Sequence, residues 1–327
     1  IRDSYSTAIK RGMNIMKQNN PLFDTLLGCH KNKTTAFLRM SNGDIITHKE
    51  FLLLVGSIAN AISSLGISKG DRLVLQAEKS PYSLAIYAAC VQSGIVFLPL
   101  NNAYTASEVS YFVNDSGAKI LVCDPSYEKT LAFLENEFDV LIKTLDSKGF
   151  GSLGDLASRM PNRFDTVSCK IEDLAAILYT SGTTGKSKGA MLSHENLLSN
   201  AQTLKDYWKF DHNDILLHAL PIFHTHGLFV ASNVILLTGG SMIFLNKFDL
   251  DEVIDRAIAN HITKFGLICS RLSDLYKLLE IYKRYSKEMF FTIGVHPHHA
   301  NEINAEYLEK LKEAIHVNNP CLLYTSD

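Results

Sequence analysis

The sequence predicts an α/β protein with parallel-rich sheets and flanking helices. Three observations lead there. Apolar blocks with helical spacing alternate with short β-branched runs along the whole chain, the pattern of layered α/β folds. Helix-length segments separate the candidate strands, as crossovers between parallel strands require. The strand at 174–179 runs straight into a loop of glycine, serine and threonine, and α/β sheets bind ligands at the carboxyl ends of their strands.

Taken in order, residues 51–65 set Leu53, Leu54, Ile58, Ala61, Ile62 and Leu65 on one helical face. Gly66 ends that helix, and Gly70-Asp71 turns the chain into a strand over 72–76. A helix over 83–92 stops near Gly94, and Pro99 closes the strand at 95–98. The apolar run 84–100 is interrupted by Gln92, Ser93 and Gly94. A membrane-spanning helix needs about 20 apolar residues, so this run is a buried helix followed by a strand, and no membrane span is expected. Asp124-Pro125 stops a strand over 120–123, and helical spacing resumes over 194–208. No tandem repeat or low-complexity tract interrupts the pattern.

Composition narrows the function classes. The chain has 327 residues, 46% of them apolar and 20% charged, too apolar for a disordered protein. The length suits two domains or one large α/β domain. A formal charge of −2 gives no reason to expect nucleic acid or an acidic membrane as partner. The six cysteines, at 29, 90, 123, 169, 269 and 321, form no Cys-x-x-Cys pair. Reduced thiols in the cytoplasm fit this spacing better than a zinc ribbon or a disulfide framework. Residues 1–20 lack an apolar signal core. The chain begins at Ile1 rather than Met and reads as a fragment, so a mitochondrial address upstream stays open.

The strongest local signal is Tyr179-Thr-Ser-Gly-Thr-Thr-Gly-Lys-Ser-Lys-Gly189, in which eight of eleven residues are Gly, Ser or Thr and two are Lys. Glycines admit an anion closely, amides and hydroxyls donate to phosphate oxygens, and lysines balance charge. The common P-loop would need glycine five positions before Gly185, where this chain has Thr180. A flexible linker is the bland alternative, but linkers rarely sit between a buried strand and a helix.

This segment resembles the phosphate loop of adenylate-forming enzymes: acyl-CoA synthetases, luciferases and peptide-synthetase adenylation domains. Ser187 stands where that family commonly has proline. Residues 94–108 (GIVFLPLNNAYTASE) and 220–230 (LPIFHTHGLFV) resemble two further family segments. The pair GKSKGAMLSHENL and LPIFHTHGLF is most similar to malonyl-CoA synthetases. The resemblance covers 1–250 and implies the N-terminal part of the adenylate-forming fold, with ATP, Mg²⁺ and CoA as cofactors and a small dicarboxylic acid such as malonate as partner. A carboxylate would attack the α-phosphate of ATP, and CoA would then displace AMP. By position, Thr180, Ser181, Thr183 and Thr184 offer hydroxyls, Gly182, Gly185 and Gly189 admit the polyphosphate, and Lys186 and Lys188 balance charge. His224 matches the acyl-pocket gate. His224 and His226, at i and i+2 on a strand, would share one face as zinc ligands sometimes do. No third ligand can be placed, although His218 is near, and no metal site is expected there.

The family also has an aromatic-Gly-x-Thr-Glu segment, whose Glu helps hold Mg²⁺, and a C-terminal domain with a catalytic lysine. Neither motif occurs in this chain, so no complete catalytic set is present and an inactive ligase fragment is expected. Residues 251–316 give helix, strand, helix, strand and helix, with Gly-Val-His-Pro-His at 294–298. That order resembles part of the βα barrel of TatD-type metal-dependent hydrolases, which cleave DNA and other phosphoesters. The ligand set of that family is incomplete here, and His296, His298 and His299 read as a loop rather than metal ligands. Residues 317–327 match neither family, resemble translated adapter sequence, and are expected to be unstructured. The chain therefore reads as a composite, joined near 248–254. A metal-dependent phosphoesterase fragment and a non-catalytic nucleotide-binding protein are the rival readings.

Overall fold

A computed structural model describes residues 19–180, 187–259, 261–269, 271–295, 303–318 and 322–324. The chain divides into two compact units, Ile1–Asp249 and Leu250–Asp327.

Among the described residues the first unit has ten strands: β1 (Ala36–Met40), β2 (Ile45–Thr47), β3 (Arg72–Gln76), β4 (Val96–Pro99), β5 (Ile120–Cys123), β6 (Leu141–Thr144), β7 (Leu174–Thr180), β8 (Lys188–Ser193), β9 (Ile215–His218) and β10 (Ser241–Phe244). Its principal helices are α1 (His48–Ser64), α2 (Pro81–Ser93), α3 (Ala106–Ser116), α4 (His194–Trp208) and α5 (Asn233–Thr238). One sheet has the order β6-β5-β3-β4-β7-β8 and the other β2-β1-β10-β9. Every pairing is parallel except β7 with β8 and β1 with β2.

Strand alternation explains why the six-stranded sheet reads as continuous apolar runs. Leu73, Leu75, Phe97, Ile120 and Val122 enter one core with α1 and α2. Val74, Val96, Leu98, Leu121 and Cys123 enter a second core with Val109, Phe112 and Val113 of α3. Both faces are covered, so successive residues of each strand are buried. From β3 the chain passes through α2 to β4 on one side, then through α3 to β5 on the other. That reversal opens a crevice at the carboxyl ends of β3 and β4.

Local signals account for the helices. Ser80 caps α2 in a reciprocal box with Ser83, Pro81 occupies its first turn, and Gly94 closes it at φ 68°, where glycine has no Cβ penalty. All but one of the thirteen residues of α2 are buried, as expected for a helix apolar all round. Among the described residues no helix is long and apolar enough to cross a membrane. Helix α1 starts at His48 rather than at 51, because Thr47 and Glu50 form a capping box. The five described cysteines are free, and Cys321 lies outside the described residues.

One expectation needs correction. The glycine-rich loop does not lead from a strand to a helix; it joins β7 to the antiparallel β8, and α4 follows. Residues 188–191 are exposed on this edge strand, so no apolar alternation marked it.

The second unit holds α6 (Leu250–Ala259), β11 (Phe265–Ile268), α7 (Leu275–Arg284), β12 (Met289–Gly294), α8 (Ala305–Asn318) and β13 (Leu322–Tyr324). Its three strands are parallel in the order β11-β12-β13. Phe291, Ile293, Cys269 and Leu278 form a small core covered by Leu275, Leu279, Tyr282, Leu311 and Ile315. The expectation that 317–327 is unstructured does not hold throughout. Val317 and Asn318 finish α8, and Leu322–Tyr324 pairs with β12, whose open edge offers unpaired backbone groups. His296, His298 and His299 lie outside the described residues.

Candidate functional site

Of the nine loop residues singled out in the sequence, Thr180, Lys188 and Gly189 are described, and Ser181, Gly182, Thr183, Thr184, Gly185 and Lys186 lie outside the described residues. Thr180 pairs across the ladder with Lys188, and Tyr179 with Gly189. Both Thr180 and Lys188 are exposed, at the carboxyl end of β7.

Helix α3 ties down both stems of this hairpin. Tyr111 donates to the carbonyl of Ser187 at 2.8 Å, and Tyr179 donates to Asp115 Oδ2 at 2.6 Å. Tyr111 and Asp115 are one helical turn apart and so share a face of α3. The Tyr179 ring also packs on Phe112, with centroids 4.6 Å apart. Burial, and then the bond to Asp115, raise the Tyr179 phenol above its ordinary pKa. Gly189 makes room for that ring. A Cβ there would lie 2.9 Å from Ile177 Cγ2 and 3.3 Å from Tyr179 Cζ.

His224 and His226 are not on a strand. His224 sits in a turn after β9, and His226 opens a π-helical segment, His226–Ser232. The expected shared face of an i, i+2 strand pair is therefore lost. The π turn replaces it because Gly227 packs against the backbone of Pro221, where a Cβ would come within 2.0 Å of the carbonyl oxygen. The Leu228 amide donates to the His224 carbonyl at 3.0 Å, and the Phe223 and His224 rings lie 4.6 Å apart. From α2, Tyr87 donates to Asn233 Oδ1 at 3.0 Å and sets its ring edge-on to Phe229. His224 lines a cleft of about 40 Å³ with Pro99, Asn101, Tyr104, Leu178 and Tyr179. A second concavity, about 130 Å³, lies between the carboxyl ends of β3 and β5 beside Glu78, Asn102 and Asp124.

His218 closes β9 and is buried, with both ring nitrogens engaged. Lys79 Nζ lies 2.8 Å from Nδ1 and donates to the His218 carbonyl at 2.7 Å. His218 Nε2 lies 2.8 Å from the Gly227 carbonyl and 3.1 Å from Ser232 Oγ. Neither ring nitrogen is left for a metal. Among the described residues no group of three or more His, Cys, Asp or Glu is placed to hold one. Burial lowers the Lys79 amine to about 7. Burial, and then the neighbouring Lys79, lower His218 to about 4, so the ring is neutral at neutral pH.

Sequence reasoning noticed His218 only as a neighbour of the His-x-His, and it missed Lys79, Tyr111, Asp115 and Tyr179. For Lys79 a signal existed: a lone cation between the apolar runs of β3 and α2, one residue before the Ser80 cap. For Tyr111 and Asp115 there was none, since their partners are 76 and 64 residues away.

Comparison with known proteins adds the following. A family model described as AMP-binding enzyme matches residues 28–314. A feruloyl-CoA synthase of Amycolatopsis is 29% identical over 221 residues, 68% of this chain and 43% of that protein. The long-chain-fatty-acid–CoA ligase FadD13 of Mycobacterium tuberculosis is 29% identical over 220 residues, 67% of this chain and 43% of that protein. The crystal structure of apo MatB from Rhodopseudomonas palustris is 43% identical with a TM-score of 0.74, covering 86% of this chain and 55% of MatB. An ATP-bound MatB structure has 44% identity and the same TM-score, covering 86% of this chain and 56% of MatB. The chain thus spans less than half the length of these curated relatives and just over half that of MatB.

Proposed function

The chain belongs to the AMP-binding enzyme family, and from that premise we propose that it is the nucleotide- and acid-binding part of an ATP-dependent acid–CoA ligase for a small dicarboxylic acid such as malonate. In the whole reaction a carboxylate oxygen attacks the α-phosphorus of ATP and pyrophosphate leaves. The CoA sulfur then attacks the acyl carbon and AMP leaves. Adenylation turns a poor leaving group into a good one, and donors aimed at the phosphates offset the charge that develops.

One observation supports this reading above the others. The cleft at the carboxyl ends of β4 and β7 is lined by His224 and also by Tyr179, the stem residue of the phosphate loop. An acid held at His224 would lie beside that loop. Thr180, Ser181, Thr183 and Thr184 would donate to the polyphosphate, Gly182, Gly185 and Gly189 would give it room, and Lys186 and Lys188 would balance its charge. The acid would be malonate or a close analogue, on the strength of GKSKGAMLSHENL and LPIFHTHGLF.

Mg²⁺ fits the described residues poorly. The carboxylate hydrogen-bonded to the loop stems, Asp115, is taken by Tyr179, and no aromatic-Gly-x-Thr-Glu segment occurs in the chain. No step is therefore assigned to the metal. Because the aromatic-Gly-x-Thr-Glu segment does not occur within these 327 residues, we propose that they bind ATP and the acid without completing thioester formation. We propose a cytoplasmic setting, with a mitochondrial one left open, on the ligase reading and on a cysteine spacing that holds no Cys-x-x-Cys pair.

For residues 251–316 we keep the reading of a TatD-type βα segment, on the division of the chain at Asp249/Leu250 and the Gly-Val-His-Pro-His run. The family match that continues to residue 314 is the competing observation, and EDTA-sensitive nuclease activity of the purified chain is the discriminator.

The test is titration calorimetry of the purified chain with ATP and malonate, alongside a malonyl-CoA assay. ATP binding strengthened by malonate, with no malonyl-CoA formed, is the expected result. ATP binding indifferent to any carboxylic acid makes the chain a plain nucleotide-binding protein. A folded chain that binds no nucleotide removes the proposal altogether.

A further inference from the structure

Lys79 is 7% exposed, and burying a cation is unfavourable unless something nearby compensates. No carboxylate stands among the contacts found for it. Its neighbours are the Nδ1 and carbonyl oxygen of His218 and the face of Phe244, whose ring centroid is 4.4 Å away. A residue that costs stability where it sits is a candidate for function.

The chemistry of the contact gives that function a form. While its amine is protonated Lys79 can only donate, so Nδ1 of His218 is then the acceptor. The ring proton is then on Nε2, where it meets the Gly227 carbonyl at 2.8 Å. Gly227 lies in the first turn of the π-helical segment His226–Ser232, and the next amide, Leu228, holds the His224 carbonyl. Without Lys79 the ring is free to carry its proton on Nδ1, which would leave the buried Gly227 carbonyl without the ring as donor. Wide π turns of this kind are rare and occur often at functional sites.

We propose that Lys79 is a positioning residue for the acid pocket: by fixing the His218 tautomer it holds the Gly227 turn and, through Leu228, sets the place of His224. Lys79 follows β3 of the six-stranded sheet, and His218 ends β9 of the other sheet. The pair therefore couples the crevice of one sheet to the histidine-bearing turn that follows the other. The inference rests on the reading of His224 as the acid-pocket residue, and its test separates the two.

The experiment is amide hydrogen exchange across 219–232 in the full 327-residue chain, with titration by malonate and by ATP. In Lys79→Met, exchange at the Leu228 amide should rise tenfold or more while amides of β3 and β10 stay within twofold. Malonate affinity should fall at least fivefold and ATP affinity stay within twofold. Lys79→Gln, an uncharged donor for a single acceptor, should fall between wild type and Lys79→Met; it carries the test if the Met variant does not fold. Wild-type exchange across 219–232 in the folded variants overturns the proposal, as do equal losses for malonate and ATP. If the wild-type chain binds ATP but not malonate while exchange still rises in the variants, the positioning role stands and the dicarboxylate reading falls.

Discussion

Tyr111 donates to the carbonyl of Ser187 at 2.8 Å across 76 residues of sequence, so the outgoing stem of the glycine-rich loop hangs from helix α3. The incoming stem hangs from the same helix face through Tyr179 and Asp115. The two ends of the loop are thus referred to one rigid element, which would spare a nucleotide held there the ordering cost of two independent strand ends.

Tyr111→Phe keeps the ring contacts and deletes the bond to Ser187. A single neutral hydrogen bond is worth about 0.5–1.5 kcal/mol. Urea unfolding should show a loss of that size, and ATP affinity should fall by a few-fold through the looser stem. An ATP affinity equal to wild type would remove α3 from the account of the site.

Gly189→Val should destabilise the chain by about 1–3 kcal/mol, the range for overpacking, although valine is the better strand former. The added side chain meets Ile177 and the Tyr179 ring. Tyrosine difference absorption on titration should then show Tyr179 ionising closer to the ordinary phenol range, because the ring is displaced from Phe112 and Asp115.

Gly227→Ala brings a methyl group within 2.0 Å of the Pro221 carbonyl oxygen, and a backbone atom cannot swing aside as a side-chain tip can. We expect a loss of at least about 2 kcal/mol in thermal or urea unfolding. An unchanged midpoint would mean that the π turn is not the native conformation of 226–232.

Acid should unfold the first unit earlier than its near-neutral charge suggests. Burial is the main cause that lowers His48, His194 and His218 to about 4, from about 6.5 in an unfolded chain. Between pH 6.5 and 4 the unfolded state binds protons that the folded state refuses. The contribution of these histidines is therefore complete above 6.5 and declines as pH falls toward 4, by at most about 1.4 kcal/mol per pH unit for each histidine. Urea midpoints measured from pH 7.5 to 4.5 test this. His48→Gln, which can still donate to the Gly240 carbonyl, should flatten the slope by up to one proton.

His224→Ala should weaken malonate binding by tenfold or more and leave ATP binding within about threefold. Equal losses for the two ligands would move His224 from the acid side of the cleft to the nucleotide side.

The strands that could be read were those whose residues are buried on both faces. Arg72–Gln76 and Ile120–Cys123 are apolar runs closed by glycine or proline turns, and the structure keeps their bounds. Strand β8 escaped because an exposed edge leaves no apolar period, and α1 began earlier than expected because a capping box outranks the apolar face that was counted. The histidines at 224 and 226 misled for a different reason. Strand geometry was assumed for a segment whose conformation depends on Gly227 fitting against Pro221, a contact between residues six apart that no periodicity encodes.

The amino-acid sequence by itself determined the α/β class and the buried α2, because each depends on local spacing, capping and residue type. The family resemblance, too, was carried by contiguous motifs. Only the tertiary structure decided which side chains hold those motifs in place. Lys79 meets His218 across 139 residues, and Tyr111 meets Ser187 across 76. Such pairs are made by strand order and helix docking, which bring together residues that share no sequence neighbourhood, and burial then sets whether a lysine or histidine there carries its charge.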